Sequence, residues 1–315
     1  MNNIQFIMNF FITGGAGFIG SHLVTALINL GKKITIYDNF SNSSKDKISP
    51  LIQKRVNIIE GDILDFDKLS ESMKGHDIVI HLATQIDVNE SIKNPDFTKK
   101  VNVDGTINVL NLCKTNKIKN FIALSSAAVY GNSNDLPLKE TSTLKPISPY
   151  GQSKLDMEKE IQNFSENNDL NSIILRPFNV FGKGQTDVYA GVITKFCNNI
   201  KNNRSLVIFG DGTFTRDFVH VSDVVQAIIN ASNKIEGKKG RVYNISSEKK
   251  TSIQELAELI LSISGKTLEI NHLPTKTGDI PHSLASSELA EKELEYVPKT
   301  FLKKGLKDLL YSDSF

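Results

Sequence analysis

Residues 10–20, FFITGGAGFIG, decide the fold. Phe10, Phe11 and Ile12 form an apolar run without polar alternation, as expected of a strand covered on both faces, and glycines follow at once. Gly14, Gly17 and Gly20 fit the spacing G-x-x-G-x-x-G, while Gly15, Gly17 and Gly20 also fit G-x-G-x-x-G. A tight strand-to-helix turn needs backbone freedom, and a pyrophosphate needs backbone N–H groups at a helix N-terminus. A glycine cluster alone marks only a turn. Its place between a strand and the helical spacing of Leu23–Asn29 makes it a dinucleotide signature.

Upstream, Met8 begins a segment that would itself complete the first strand, so residues 1–7 read as an extension or a misassigned start. The apolar N-terminal stretch lacks a basic leader and is not read as a signal peptide. Downstream, Lys33–Tyr37, Val56–Glu60, Ile78–Leu82, Phe121–Ser125 and Ser172–Arg176 repeat the short apolar pattern. Helical spacing returns at Thr106–Cys113 and Ser153–Phe164. This alternation predicts an α/β fold, a Rossmann-type doubly wound parallel sheet. Beyond Pro177, a helix near Val192–Asn199, a strand at Leu206–Phe209 and a helix at Ser252–Ser262 predict a smaller C-terminal α/β substrate lobe. Phe218–Ile245 reads as a helix and strand returning to the main sheet. The division expected is therefore 1–177 with 217–246 for the nucleotide domain, and 178–216 with 247–315 for the lobe.

The totals exclude several classes. With 37 basic and 35 acidic residues, 39% hydrophobic and 23% charged, the composition is that of an ordinary globular protein and gives no nucleic-acid surface. Cys113 and Cys197 are isolated, which argues against a disulfide framework or metal site and for a reducing, cytoplasmic setting. No apolar run approaches the ~20 residues of a membrane helix.

Asp38 ends the second strand, near the separation expected for the acid that binds the adenosine ribose hydroxyls. Asn39, Phe40 and Ser41 follow it without a cation, so NAD is favoured over NADP; an Asp capping a turn is the plainer alternative. Asp62, after the third strand, could accept from an adenine amino group or cap a helix. Tyr150 and Lys154 form Tyr-x-x-x-Lys after the helix-starting pair Ser148 and Pro149, and of seven tyrosines only this one has Lys at the fourth position. Residues four apart share a helix face, and an ammonium beside a phenol, with oxidised nicotinamide, favours the phenolate of a group whose free pKa is near ~10. Ser126 lies just past a strand's C-terminal end, where such sheets place ligands, and could bridge a substrate hydroxyl to Tyr150.

Those motifs, together with HLATQIDV, VNVDGT, SSAAVYG, LRPFNVFG, GDGTFTRDFVHVSDV and GDIPHS, resemble the extended short-chain dehydrogenase/reductase family over nearly the whole chain. Within it the chain is similar to UDP-glucose 4-epimerases and relatives acting on UDP-N-acetylhexosamines. The resemblance implies that Phe18, Ile19, Asp38, Asn39, Phe40 and Ser41 contact NAD. It implies the same of Asp62, Ile63, Leu82, Ala83, Thr84 and Gln85, and of Asn102, Tyr150, Lys154 and Phe178. Ser126 and Tyr150 would face the sugar. Asn179, Val192, Phe209, Arg216, Lys276 and Asp279 would hold the nucleoside diphosphate. Lys276 stands where the family usually has Arg, giving a point charge in place of a bidentate fork. Ser283 occupies a position where relatives carry either a bulky aromatic or a small residue, so a 2-acetamido group is expected to be tolerated. A homodimer through helices near Val101–Thr115 and Ser153–Phe164 is the family's habit.

The 4,6-dehydratases of this family place acids after the serine or threonine, and Ala127 and Ala128 stand there instead. The expected reaction is 4-epimerisation of a UDP-hexose through a transient 4-keto sugar. UDP-glucuronate epimerase, decarboxylase or reductase activity and a non-catalytic NAD-binding regulator are the alternatives.

Overall fold

The computed structural model describes residues 8–45, 48, 55–185, 191–275 and 279–311. Seven parallel strands form its main sheet: β1 (Asn9–Thr13), β2 (Lys33–Asp38), β3 (Asn57–Glu60), β4 (Ile78–His81), β5 (Asn120–Leu124), β6 (Asn171–Pro177) and, much later in the chain, β10 (Arg241–Ile245). Their order is β10-β6-β5-β4-β1-β2-β3. Direction of winding reverses between β1 and β4, so a crevice opens beyond their carboxyl ends.

Alternate side chains of each strand enter separate cores, which is why the strand sequences read as uninterrupted apolar runs. Phe10, Ile12, Ile36 and Ile122 pack with Leu23 and Val24 of the Phe18–Asn29 helix and Val224 and Ile228 of the Val221–Asn233 helix. Phe11, Tyr37, Val79 and Phe121 pack instead with Val109 and Leu112 of the Gly105–Thr115 helix and Met157 and Ile161 of the Pro149–Asn167 helix. That last helix starts where its signals place it. The Ser148 hydroxyl accepts from the Gly151 N–H, and Pro149 occupies the first turn, where a missing N–H costs nothing.

The lobe has its own core, built from Ile193, Phe196, Leu206, Leu256, Ile260 and Leu306, among others. Two small sheets frame it. β7 (Asn179–Phe181) pairs with β9 (Thr215–His220), which pairs in turn with β11 (Lys250–Ser252), and β8 (Leu206–Phe209) pairs with β12 (Ile270–Leu273). Here the expectation for 218–245 needs correction. Phe218–His220 belongs to the lobe's three-stranded sheet, and the return to the main sheet starts with the helix at Val221. β10 then pairs with β6, Tyr243 opposite Leu175. Among the described residues no helix is long and apolar enough to cross a membrane.

Candidate active site

A cavity of about 1430 Å³ runs from the glycine turn across the carboxyl ends of β1, β4 and β5 into the lobe. Its first wall is the turn itself. Gly14 takes φ +68°, and a Cβ there would stand 2.6 Å from the Ala83 nitrogen; one on Gly20 would stand 2.4 Å from the Gly14 oxygen. Both glycines therefore let backbones meet at a distance no side chain permits. The helix that follows has no side-chain cap and no acid in its first turn, so its N-terminal dipole is left for an anion.

Asp38 closes the turn from the second strand. Its carboxylate accepts from the Ala16 N–H at 2.9 Å and from the Phe40 N–H at 2.9 Å. Burial raises its pKa even so, with these bonds acting against the rise. Both readings of this residue, turn cap and ribose acceptor, are thus compatible, because Oδ2 keeps a lone pair, while Oδ1 also accepts from the Ser43 hydroxyl at 3.5 Å. Asp62 accepts from Leu64 N–H and from the Asn39 amide at 2.9 Å; the helix cap nearby is Asp65. Phe40, at φ +56°, offers its N–H to Asp38 but is absent from the cavity wall, whereas Asn39 and Ser41 line it.

The loop Leu82–Gln85 forms the opposite wall and is held from two sides. Asn102 does not line the cavity. Its side chain is buried and fully engaged: Oδ1 accepts from Gln85 N–H at 2.7 Å and the Thr84 hydroxyl at 2.8 Å, while Nδ2 donates to Gln85 O and to Ser153 Oγ. Asn102 therefore positions the loop against the Pro149–Asn167 helix. From below, His81 bridges two threonines, with Nδ1 2.8 Å from Thr13 Oγ1 and Nε2 3.0 Å from Thr106 Oγ1. Thr106 spends its one proton on the Asn102 carbonyl, so His81 Nε2 must donate and Nδ1 must accept. Thr13 then donates to His81 and accepts from the Leu82 and Ala83 N–H groups. Burial, reinforced by Lys154, holds His81 neutral by lowering its pKa to about 3.

Ser126, Tyr150 and Lys154 all line this cavity. Ser126 caps the 3-10 turn Ala127–Tyr130, accepting from Ala128 N–H at 3.1 Å, and its side chain lies near enough to Tyr150 to pull that phenol's pKa down. Lys154 is 3% exposed and donates from Nζ to the Leu124 carbonyl at 2.9 Å. The expected acidification of the phenol is not a property of the ligand-free fold. Burial raises Tyr150, offset in part by Ser126, and burial also lowers Lys154 to about 7 against the upward pull of Glu158. A low-dielectric setting disfavours both charged forms at once.

Glu158, one turn beyond Lys154, is fully committed elsewhere. Arg176 grips it with Nε and Nη2 at 2.9 and 2.6 Å and donates from Nη1 to the Tyr130 hydroxyl, which donates to Asn244 on β10. This buried set ties the Pro149–Asn167 helix, the serine turn and two strands into one unit.

At the lobe end, Asn179, Val192, Phe209, Arg216, Asp279 and Ser283 all line the same cavity. Arg216 spends Nη1 on the Thr215 and Pro281 carbonyls, at 2.9 and 3.4 Å, which leaves N–H groups for an anionic ligand. Val192 opens a helix without a side-chain cap. Lys276 lies outside the described residues. Two residues of the cavity wall each carry a buried polar atom without a partner, Gln85 Oε1 and Ser125 Oγ. Sequence reasoning overlooked Ser125, whose sole signal was its place beside Ser126. It also passed over His81, since nothing in a strand-end histidine announces its partners. The turn, the uncapped helix and these unpartnered atoms fit a dinucleotide. Among the described residues, no group of three or more His, Cys, Asp or Glu is gathered as a metal would require.

The NAD dependent epimerase/dehydratase family matches residues 10–246. A UDP-glucose 4-epimerase of Erwinia amylovora is 33% identical over 316 residues, spanning 92% of this chain and 93% of its own. Among solved structures, UDP-N-acetylglucosamine 4-epimerase of Methanobrevibacter ruminantium M1, in complex with UDP-N-acetylmuramic acid, superposes with a TM-score of 0.90 at 36% identity, covering 96% of this chain and 97% of that one. UDP-glucose 4-epimerase of Thermotoga maritima with UDP-glucose gives 0.90 at 33% identity, with the same coverage of 96% and 97%.

Proposed function

The chain belongs to the NAD dependent epimerase/dehydratase family, and from that premise we propose that it inverts C4 of a UDP-hexose, interconverting UDP-glucose and UDP-galactose. The observation that carries this reading is the meeting of Ser126, Tyr150 and Lys154 in a cavity that continues without a break to Arg216. One end can exchange a proton with a hydroxyl, and the other can hold a diphosphate.

NAD would lie along the glycine turn, Asp38 and the Leu82–Gln85 loop, and when bound it supplies a hydride acceptor and a positive ring that favours the phenolate. Tyr150 takes the proton of the C4 hydroxyl through Ser126, and Lys154 beneath it stabilises the charge that develops. With the C4 hydride passed to that acceptor, the 4-keto sugar would turn about its diphosphate linkage so that the hydride comes back to the opposite face of C4, and Tyr150 would return the proton to the C4 oxygen. Arg216 and the Val192 helix N-terminus keep the nucleotide in place during the turn, so grip is concentrated where no bond changes. Ala127 and Ala128 line the cavity beside Ser126 and carry no proton, which disfavours dehydration.

Ser283, buried and in the cavity wall, leaves room for a 2-acetamido group, so N-acetylhexosamines are included among the substrates. A cytoplasmic homodimer through the Gly105–Thr115 and Pro149–Asn167 helices completes the proposal, and light scattering of the purified protein tests the dimer. The activity is tested by incubating the enzyme with UDP-galactose and no reductant. UDP-glucose should appear without net NADH, and binding without turnover, or a product of changed mass, would overturn it.

A further inference from the structure

We propose that the hydroxyl of Ser125 is a cofactor contact, bonded to a polar group on the nicotinamide half of NAD and distinct from the part played by Ser126. This rests on the family-based reading above.

Ser125 lines the cavity and is 4% exposed, yet its Oγ, itself shut off from solvent, has no hydrogen-bond partner. A buried hydroxyl left unbonded costs roughly 1–3 kcal/mol, so a fold keeps one where a ligand will complete it. The neighbouring polar groups are already taken. The Ser125 N–H donates to the Leu175 carbonyl at 2.7 Å, and the Leu124 carbonyl accepts from Lys154. Ser126 uses its oxygen on Ala128 N–H and faces Tyr150.

Strand alternation says which ligand the free hydroxyl meets. Ile122 and Leu124 enter the core with Leu23 and Val24, whereas Phe121 and Ala123 enter the one with Met157 and Ile161 of the Pro149–Asn167 helix. Continued by one residue, this places Ser125 on the face of the sheet that carries Lys154. Ser125 is also more deeply buried than Ser126, the residue beside the sugar-facing phenol. A group behind the sugar position and on the lysine side meets the nicotinamide riboside, whose carboxamide and ribose hydroxyls both bond to a serine.

The test is Ser125→Ala in the full chain, with titration calorimetry of NAD into NAD-stripped enzyme and thermal unfolding without ligand. NAD affinity should fall about tenfold, the equivalent of about 1.4 kcal/mol. The ligand-free variant should unfold no lower than wild type, because the substitution removes an unbonded hydroxyl. Equal NAD affinity in both proteins would overturn the proposal. So would a loss confined to UDP-glucose binding, or a lowered unfolding temperature without ligand, which would show the hydroxyl already bonded within the fold. Wild-type enzyme that did not bind NAD at all would sink the family-based reading instead.

Discussion

Replacing Lys154 by Met should make the NAD-free enzyme more stable near neutral pH, and the advantage should shrink as pH rises. Burial lowers the ammonium from 10.5 to about 7. At ~1.36 kcal/mol per pH unit, holding it protonated costs the folded state roughly 4–5 kcal/mol below pH 7. Between pH 7 and 10.5 the unfolded chain keeps a proton that the folded chain has released, so stability rises with pH. The cost should drop to about 2 kcal/mol at pH 9 and below ~1 kcal/mol at pH 10. The substitution also leaves the Leu124 carbonyl without its donor, which offsets the gain by roughly 1–3 kcal/mol at every pH. The slope therefore decides, not the intercept. Urea unfolding of both proteins at intervals from pH 6 to pH 10 measures it, and other titrating groups cancel in the difference. A difference independent of pH across that range would show that Lys154 is not held at a depressed pKa. The same variant should lose turnover near neutral pH, since it removes the ammonium set beneath the phenol.

Tyr150→Phe should abolish C4 inversion while NAD still binds, read by coupled assay and calorimetry; activity near wild type would dismiss this phenol as the proton carrier. His81→Leu leaves the Thr13 hydroxyl without its acceptor and the Thr106 oxygen without its donor, so it should cost about 2–4 kcal/mol in urea unfolding and weaken NAD binding. A loss below ~1 kcal/mol would mean the threonine chain is not what holds the loop. In the wild type, nitrogen NMR should find His81 as the Nε2–H tautomer from pH 8 to pH 5, with stability falling on acidification below 6.5, where only the unfolded chain gains the proton. Ser283→Tyr should lower kcat/KM for UDP-N-acetylhexosamines at least tenfold more than for UDP-glucose, as a lost pocket does. Equal losses on both would remove Ser283 as a gate.

The main sheet was legible because its strands are local, continuous apolar runs, and β1 to β6 fall within about a residue of where hydropathy places them. The lobe was harder for a physical reason. β7 follows β6 after the single residue Phe178, so three residues with no turn signal before them start a strand on another sheet, and the reading that stops at Arg176 misses it. β9, β11 and β12 are short, and their pairings join residues far apart in sequence, which no window of neighbours contains. The same limit applied to the site. Tyr150 and Lys154 lie one turn apart on one helix and were found together, while the bonds of Asn102 and His81 cross from strand to helix. Asn102 was expected to touch the cofactor and instead holds the loop that lines its cavity.

Because the chain leaves the main sheet after β6, builds most of the lobe's framework and comes back to add β10 at the sheet's edge, the molecule cannot be divided at one peptide bond. A fragment cut after Pro177 would bare the β6 edge and strip Tyr130 of its bond to Asn244. Swapping lobes between relatives to change the sugar accepted thus calls for three junctions made together, one after Pro177 and one on either side of the 221–245 segment.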